Sequence, residues 1–335
     1  MKAYQIEQFG LDGLRQVDRP QPVPGPQDVI VRIRAVSLNF RDLLVTLGRY
    51  NPRMPLPRIP CSDGAGEVVE VGPGVRRVRV GDRVAGTFFQ NWIDGPLTDD
   101  AARSALGGSI DGVMAEYVAF HEDGLVRIPD YLSDEEAATL PCAALTAWHA
   151  LFEQGRPRPG DTLLLQGTGG VSLFALQFAR LAGLRAIITS SSSEKLERAL
   201  TMGATDGINY RSEPQWEHRV RELTDGVGVD HVIELGGART LPQSMEAVRM
   251  GGRISLIGVL GGGDTEFNQV PILMRNIRLQ GIYVGNRRMF ESMLRAMALH
   301  EVRPTIDRVF GFDEFRAALE HMQRGAHFGK IVVRV

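Results

Sequence analysis

The turn Gln166–Ser172 (QGTGGVS) carries the clearest chemical spacing in the chain, Gly167-x-Gly169-x-x-Ser172, a near match to GxGxxG. Glycine at the first position permits a tight turn, and at the second it lets backbone approach a pyrophosphate. Thr168, Gly170 and Val171 complete the loop, and a helix starting there would offer unfilled N–H groups and a positive dipole end. Ser172 is small enough to keep that helix close to the strand before it. The turn follows an apolar run, Thr162–Gln166, and precedes an amphipathic one, Val171–Ala182. Strand, turn and helix in that order are the context dinucleotide binding requires.

The nucleotide expected is NADP(H). NAD-type sites place an acid at the end of the second strand, about 20 residues further on, to bond the ribose hydroxyls. Here the strand ends in Thr189, Ser190, Ser191, Ser192 and Ser193, with Lys195 next and Tyr210 and Arg211 closing the third strand. Hydroxyls and a cation would hold a 2′-phosphate that a carboxylate would repel. Glu194 argues the other way, but it falls past the strand, in the helical start. The same residues also read as a loop, a helix cap and a solvated charge.

The elements around the turn alternate. Arg185–Thr189 precedes a helical Glu194–Met202, Gly207–Asn209 precedes Pro214–Thr224, and Val229–Leu235 precedes Thr240–Met250. Arg253–Val259 and Ile277–Ile282 add two further strands. Such alternation is the sequence form of βαβ units and a parallel sheet covered on both faces. Before about residue 125 the texture is β-rich. Asp28–Val36 alternates apolar and polar residues, and Gly64–Val84 gives two strand-like runs around Gly72-Pro73-Gly74, which predicts a small barrel. The tail returns to helix–strand–helix–strand and ends in the apolar run Lys330–Val335.

A chain of 335 residues suits two domains. Its 40 acidic and 38 basic residues give a net charge of −2, which argues against nucleic acid as a partner. The uncharged stretch Thr162–Ala179 approaches a membrane span in length, but the glycine turn interrupts it, so membrane insertion is not expected. Two cysteines, Cys61 and Cys142, build neither a disulfide framework nor a four-thiolate zinc site, and this usage fits a reducing cytoplasm. The N-terminus, with Glu7 and no apolar core, does not read as a signal peptide. His121, His149 and His327 are scattered without metal-ligand spacing.

The strings SLNFRDLLVTLGRY, GAGEVVEVGPGV, VGDRVAG, LPCAALTAWHAL, GTGGVSLFALQFA, SSSSEKLERALTMGATDGINYR and HFGKIVVRV together resemble the medium-chain dehydrogenase/reductase superfamily nearly end to end. The resemblance implies an α/β fold: a GroES-like β-barrel catalytic domain over residues 1–125 and 284–335, and a Rossmann doubly wound parallel sheet over 126–283. It also implies a homodimer.

Zinc-dependent alcohol dehydrogenases of that superfamily bind the metal through Cys, a His-Glu pair and a second Cys. The corresponding places here read Ser37, Ser62-Asp63 and Cys142, with Cys61 one residue from the His position, and Thr87–Tyr117 lacks the cysteines of a structural zinc lobe. With so few ligands no metal site is expected. The chain therefore looks like the zinc-free, quinone oxidoreductase-like branch.

The resemblance further implies that Gly167–Val171 cradle the pyrophosphate and that Ser190, Lys195 and Tyr210, joined by Arg324, surround the 2′-phosphate. Thr146, Gly236, Ile257, Gly258 and Val259 would line the nicotinamide side, and Asn39 of SLNFRD would face that end of the cleft.

Hydride transfer needs no protein nucleophile, but it does need a donor to the developing oxyanion. Asn39, Tyr50 and the cofactor ribose are the candidates, with Asp42 for proton relay. Each residue also has an ordinary alternative as turn former, packing residue or helix cap. Phe88, Phe89 and Trp92 either wall an apolar pocket or belong to the core, and the segment 88–112 is atypical of small quinone reductases. The expected activity is NADPH-dependent, zinc-independent reduction of a quinone, enone or related conjugated carbonyl. Reduction of simple aldehydes or ketones, and a non-catalytic NADPH sensor, are the alternatives.

Overall fold

The computed structural model describes residues 1–260 and 268–335, which divide into two compact units: Met1–Leu145 with Val284–Val335, and Thr146–Tyr283.

In the first unit the long strand Asp28–Leu38 is the hub, because its alternating pattern presents Val29, Val31, Ile33, Val36 and Leu38 to one core. It pairs antiparallel with Asp63–Val71, with Tyr117–His121 and with the last strand, Lys330–Arg334. The last strand in turn pairs parallel with Ile306–Gly311, so the chain terminus is built into the sheet. Ile331 and Val333 complete the core from that strand, with Phe315 and Leu319 from the helix Phe315–Gln323.

Two expectations are corrected here. The run after Gly72-Pro73-Gly74 is not a second strand: the N–H groups of Arg76 and Arg77 both donate to the Glu122 carboxylate at 2.7 Å. Strand geometry resumes only at Arg83–Gly86. The unit boundary also falls later than residue 125. Leu125–Arg127 pairs with Arg83–Gly86, and the helix Asp134–Ala138, capped by Ser133 and Glu136, packs on Asp28–Leu38 and Asp63–Val71. Residues 126–145 thus belong to the first unit through contacts distant in sequence.

Among the described residues the second unit contains six parallel strands: β1 (Thr162–Gln166), β2 (Arg185–Ser190), β3 (Asp206–Asn209), β4 (Val229–Glu234), β5 (Val248–Leu256) and β6 (Arg278–Gly281). Their spatial order is β3-β2-β1-β4-β5-β6, the doubly wound arrangement in which the order reverses between β1 and β4. Leu164, Ile187, Ile208, Val232 and Ile254 fill the sheet's core together with Trp216, Val220 and Met245 from the helices. The helix expected over 240–250 stops at Ala247, and β5 starts at Val248 instead of Arg253. Gly251, at φ 69°, and the crowded Gly252 let the chain turn extended early and bulge opposite β4.

No helix among the described residues is long and apolar enough to cross a membrane. Ile331 is fully buried at the seam between the last strand and Asp28–Leu38. Ile331→Ala is therefore expected to lower stability by about 2–5 kcal/mol in urea denaturation.

Candidate functional site

In the second unit, Gly167 has φ 73°, and Gly169 is the N-cap of the helix Gly170–Leu181. An added Cβ at either glycine would meet no protein atom within 4 Å, so open space lies above the turn. That space and the free N–H groups of a twelve-residue helix suit a pyrophosphate. Ser172 draws the helix against β1 by donating to the Gln166 carbonyl at 2.6 Å. Thr168 is buried, and Gly170 and Val171 open the helix.

Ser190 closes β2 with no acid beside it, and its carbonyl accepts from the Tyr210 N–H at 3.1 Å. Ser191 follows, and Ser192 caps the next helix by accepting from the Lys195 N–H at 3.3 Å. Ser190, Ser191, Lys195 and Tyr210 are thus gathered at one end of β2 and β3. Arg324 lies in the first unit, at the C-cap of the helix Phe315–Gln323.

The loop after β4 is locked by a network that the sequence alone did not reveal. Glu234 is fully buried. Its Oε1 accepts from Gly236 N at 2.9 Å, Gly237 N at 3.0 Å and Thr240 Oγ1 at 2.5 Å. Its Oε2 accepts from Gln166 Nε2 at 2.7 Å and from Ser244 Oγ. The Gln166 side-chain oxygen, Oε1, accepts from Leu235 N and Gly236 N. The Ile257 and Gly258 N–H groups donate to the Glu234 main-chain oxygen at 2.9 and 3.2 Å, which brings Gly236 and Gly258 together. Gly258 is tightly placed, since a Cβ there would meet Leu235 O at 2.5 Å. Val259 is exposed and Thr146 is buried. A polar residue ending each of two adjacent apolar strands, Gln166 and Glu234, was the available signal.

In the first unit, register sets Ser37 opposite both Asp63 and Val332. Lys330 is 4% exposed, and its Nζ donates to Leu38 O and to Asn39 Oδ1, each at 2.6 Å. Asn39 starts the helix Phe40–Thr46, and its N–H donates to Asp42 Oδ2 at 2.8 Å. Asp42 is fully enclosed, and burial raises its pKa to about 6 against the lowering influences of Arg41 and the Asn39 N–H. Asp63, also enclosed, is raised by burial and held back by Lys330, Ser62 and Asn39. Ser62 Oγ donates to Asp63 Oδ1 at 2.6 Å, and Cys142 N donates to its Oδ2 at 3.0 Å.

Tyr50 is 43% exposed and lies under the Arg41 guanidinium at 5.0 Å; Arg41 also sits 4.7 Å from the Phe88 ring and donates to Leu106 O. Phe88, Phe89 and Trp92 are buried and packed edge to face, so they form core inside the segment 88–112.

These donors do not fit a zinc ion. Ser37 donates its hydroxyl to Ile331 O, and Asp63 already accepts from Ser62 and Cys142. Burial, with Asp63 nearby, pushes both the Cys61 and Cys142 thiols up. Among the described residues no group of three His, Cys, Asp or Glu side chains is placed to hold a metal.

A doubly wound sheet with a glycine turn at the switch strand, together with a first unit of GroES-like type, defines a two-domain oxidoreductase. Residues 25–130 match the alcohol dehydrogenase GroES-like domain, and residues 170–298 match the zinc-binding dehydrogenase domain. A zinc-type alcohol dehydrogenase-like protein of Schizosaccharomyces pombe is 44% identical, with 97% of this chain and 96% of the relative covered. The mouse quinone oxidoreductase-like protein 2 is 29% identical, with 94% and 86% covered. The crystal structure of a putative alcohol dehydrogenase from Sinorhizobium meliloti 1021 matches with a TM-score of 0.92 at 44% identity, covering 100% of this chain and 98% of that one. The chain belongs to the medium-chain dehydrogenase/reductase superfamily.

Two stability measurements check this geometry. Glu234→Ala strands several buried donors and is expected to cost roughly 3 kcal/mol or more in urea denaturation. Asp42 holds its proton more tightly folded than unfolded, so it weakens the fold progressively as pH rises from 3.8 to about 6, and fully above that. Asp42→Asn should therefore gain stability over wild type by up to about 3 kcal/mol at pH 7.5, and much less at pH 4.

Proposed function

We propose that the protein is an NADPH-dependent reductase of conjugated carbonyls, enones or quinones, working without a metal ion. The observation that carries this reading is the pairing of an acid-free β2 end with a donor set unsuited to zinc. Bound NADPH would supply the hydride from its nicotinamide ring. Gly167, Thr168, Gly169, Gly170 and Val171 hold the pyrophosphate in this reading. Ser190, Ser191, Lys195 and Tyr210 take the 2′-phosphate, and Thr146, Gly236, Ile257, Gly258 and Val259 line the nicotinamide side.

Hydride addition to a β-carbon spreads the resulting charge over the conjugated system, so it depends less on a strong Lewis acid than reduction of an isolated carbonyl does. Asn39 donates to the substrate oxygen, and Tyr50, at the surface of its unit, passes a proton from solvent. Asp42 acts from behind Asn39, fixing its backbone and exchanging a proton around pH 6. A second reading, reduction of simple aldehydes or ketones, is favoured by the alcohol dehydrogenase of Geobacillus stearothermophilus, 31% identical with this chain fully covered. Two cysteines without a disulfide role support a cytoplasmic setting.

A homodimer is part of the same proposal. Among the described residues β6 has a neighbouring strand on one side only. Beside it in sequence, the helix Val270–Met274 exposes Val270, Leu273 and Met274 at 54, 79 and 70%. Such an edge and apolar patch suit a second copy of the chain. Sedimentation should find a dimer that Leu273→Glu weakens, and a monomeric wild type would contradict it.

NADPH oxidation with a panel of enones, quinones and aldehydes tests the activity; turnover confined to saturated aldehydes would favour the second reading, and silence despite tight NADPH binding would favour a sensor. Lys195→Ala should lower kcat/KM for NADPH about 10-fold or more, with little change for NADH. An unchanged preference would remove Lys195 from the phosphate site.

A further inference from the structure

A lysine in the apolar strand Lys330–Arg334 is an expensive residue to bury, and its surroundings say what it holds. An ammonium can only donate. The 2.6 Å contact between Lys330 Nζ and the Asn39 side chain therefore fixes which end of that amide is which: the oxygen faces the lysine, and the NH2 group must face away. A second 2.6 Å bond, to Leu38 O, pins the strand-to-helix junction on which Asn39 sits. The Asn39 N–H is held by Asp42 at 2.8 Å, so backbone and side chain are both fixed. The amide nitrogen, Nδ2, is turned toward Asp63, whose ionised form it favours, yet it closes no hydrogen bond of ordinary geometry among the described residues. A buried donor left unfilled costs free energy and calls for a partner.

We propose that Lys330 is a positioning residue for the reaction: it orients Asn39 as an obligate hydrogen-bond donor to the carbonyl oxygen of the bound substrate. The inference rests on the reductase reading and adds a division of labour to it. Lys330 touches no substrate; it supplies the fixed cation behind the residue that does. Where a metal ion would act as the Lewis acid on the oxygen, this site uses an amide held by an ammonium.

Asn39→Asp is the most informative variant. A carboxylate at that place still accepts from Lys330 but, ionised, donates nothing; it also meets Asp63, so rates are compared per folded molecule. With the carbonyl that wild type reduces fastest, kcat per folded molecule should fall about 100-fold, while NADPH affinity by fluorescence titration stays close to wild type. Lys330→Met should lower kcat per folded molecule, Lys330→Arg should restore most of it, and Asn39→Asp/Lys330→Met should be no slower than Asn39→Asp alone. Asn39→Asp retaining kcat within a few-fold would overturn the proposal. So would a loss confined to NADPH affinity, which would assign the donor to the cofactor instead.

A readout without turnover separates this proposal from the reductase reading. The Asn39 side-chain NH2 resonance, identified by its loss in Asn39→Asp, should move when cyclohexanone, a saturated carbonyl, is added to the NADP+ complex. It should also move in Lys330→Arg. A resonance indifferent to both would defeat the positioning role even in an active reductase. A wild type silent on every carbonyl would defeat the reductase reading and, with it, the substrate-positioning role.

Discussion

The antiparallel pairing of Lys330–Arg334 with Asp28–Leu38 is the contact on which the first unit depends. It sets Ile331 beside Leu38 and Val332 beside Ser37, and the same central strand places Ser37 beside Asp63. Three strands far apart in sequence thereby bring Lys330, Asn39 and Asp63 into one enclosed cluster. Burial makes each of these groups expensive on its own, and the hydrogen bonds among them make the arrangement tolerable. The geometry of Asn39 is therefore a consequence of sheet register as much as of its own turn.

The second unit solves a similar problem with neutral donors around one buried acid. Glu234 gathers the amides of Gly236 and Gly237, the hydroxyls of Thr240 and Ser244 and the amide of Gln166, so the loop after β4 is tied to β1. Gln166 immediately precedes Gly167, and the glycine turn and the β4 loop consequently share one hydrogen-bonded frame. A nucleotide held by such loops meets backbone that is already ordered, which reduces the entropy lost on binding.

Local patterns made much of this legible. Thr162–Gln166 reads as a strand because it is short, apolar and bounded by glycines, and the structure keeps those limits. The glycine turn, the serine end of β2 and the alternating elements all carry their meaning within a few residues. What escaped was set by distant partners. Arg76 and Arg77 bond Glu122 instead of a strand, and Leu125–Arg127 joins the first unit by pairing across to Arg83–Gly86. Lys330 read as the polar edge of an apolar run, because its two acceptors lie on Leu38 and Asn39. The Glu234 network likewise depends on β1 and β4 being neighbours, which only the fold determines.

The proposed reaction is hydride transfer from NADPH to a conjugated carbonyl, with an amide positioned by a buried lysine in place of a metal. The most direct measurement is the rate of NADPH-driven enone reduction by protein dialysed exhaustively against a chelator, with zinc content determined on the same sample. The account predicts an undiminished rate with zinc far below one atom per chain. A rate that disappears with the metal and returns on adding one equivalent of zinc would contradict it.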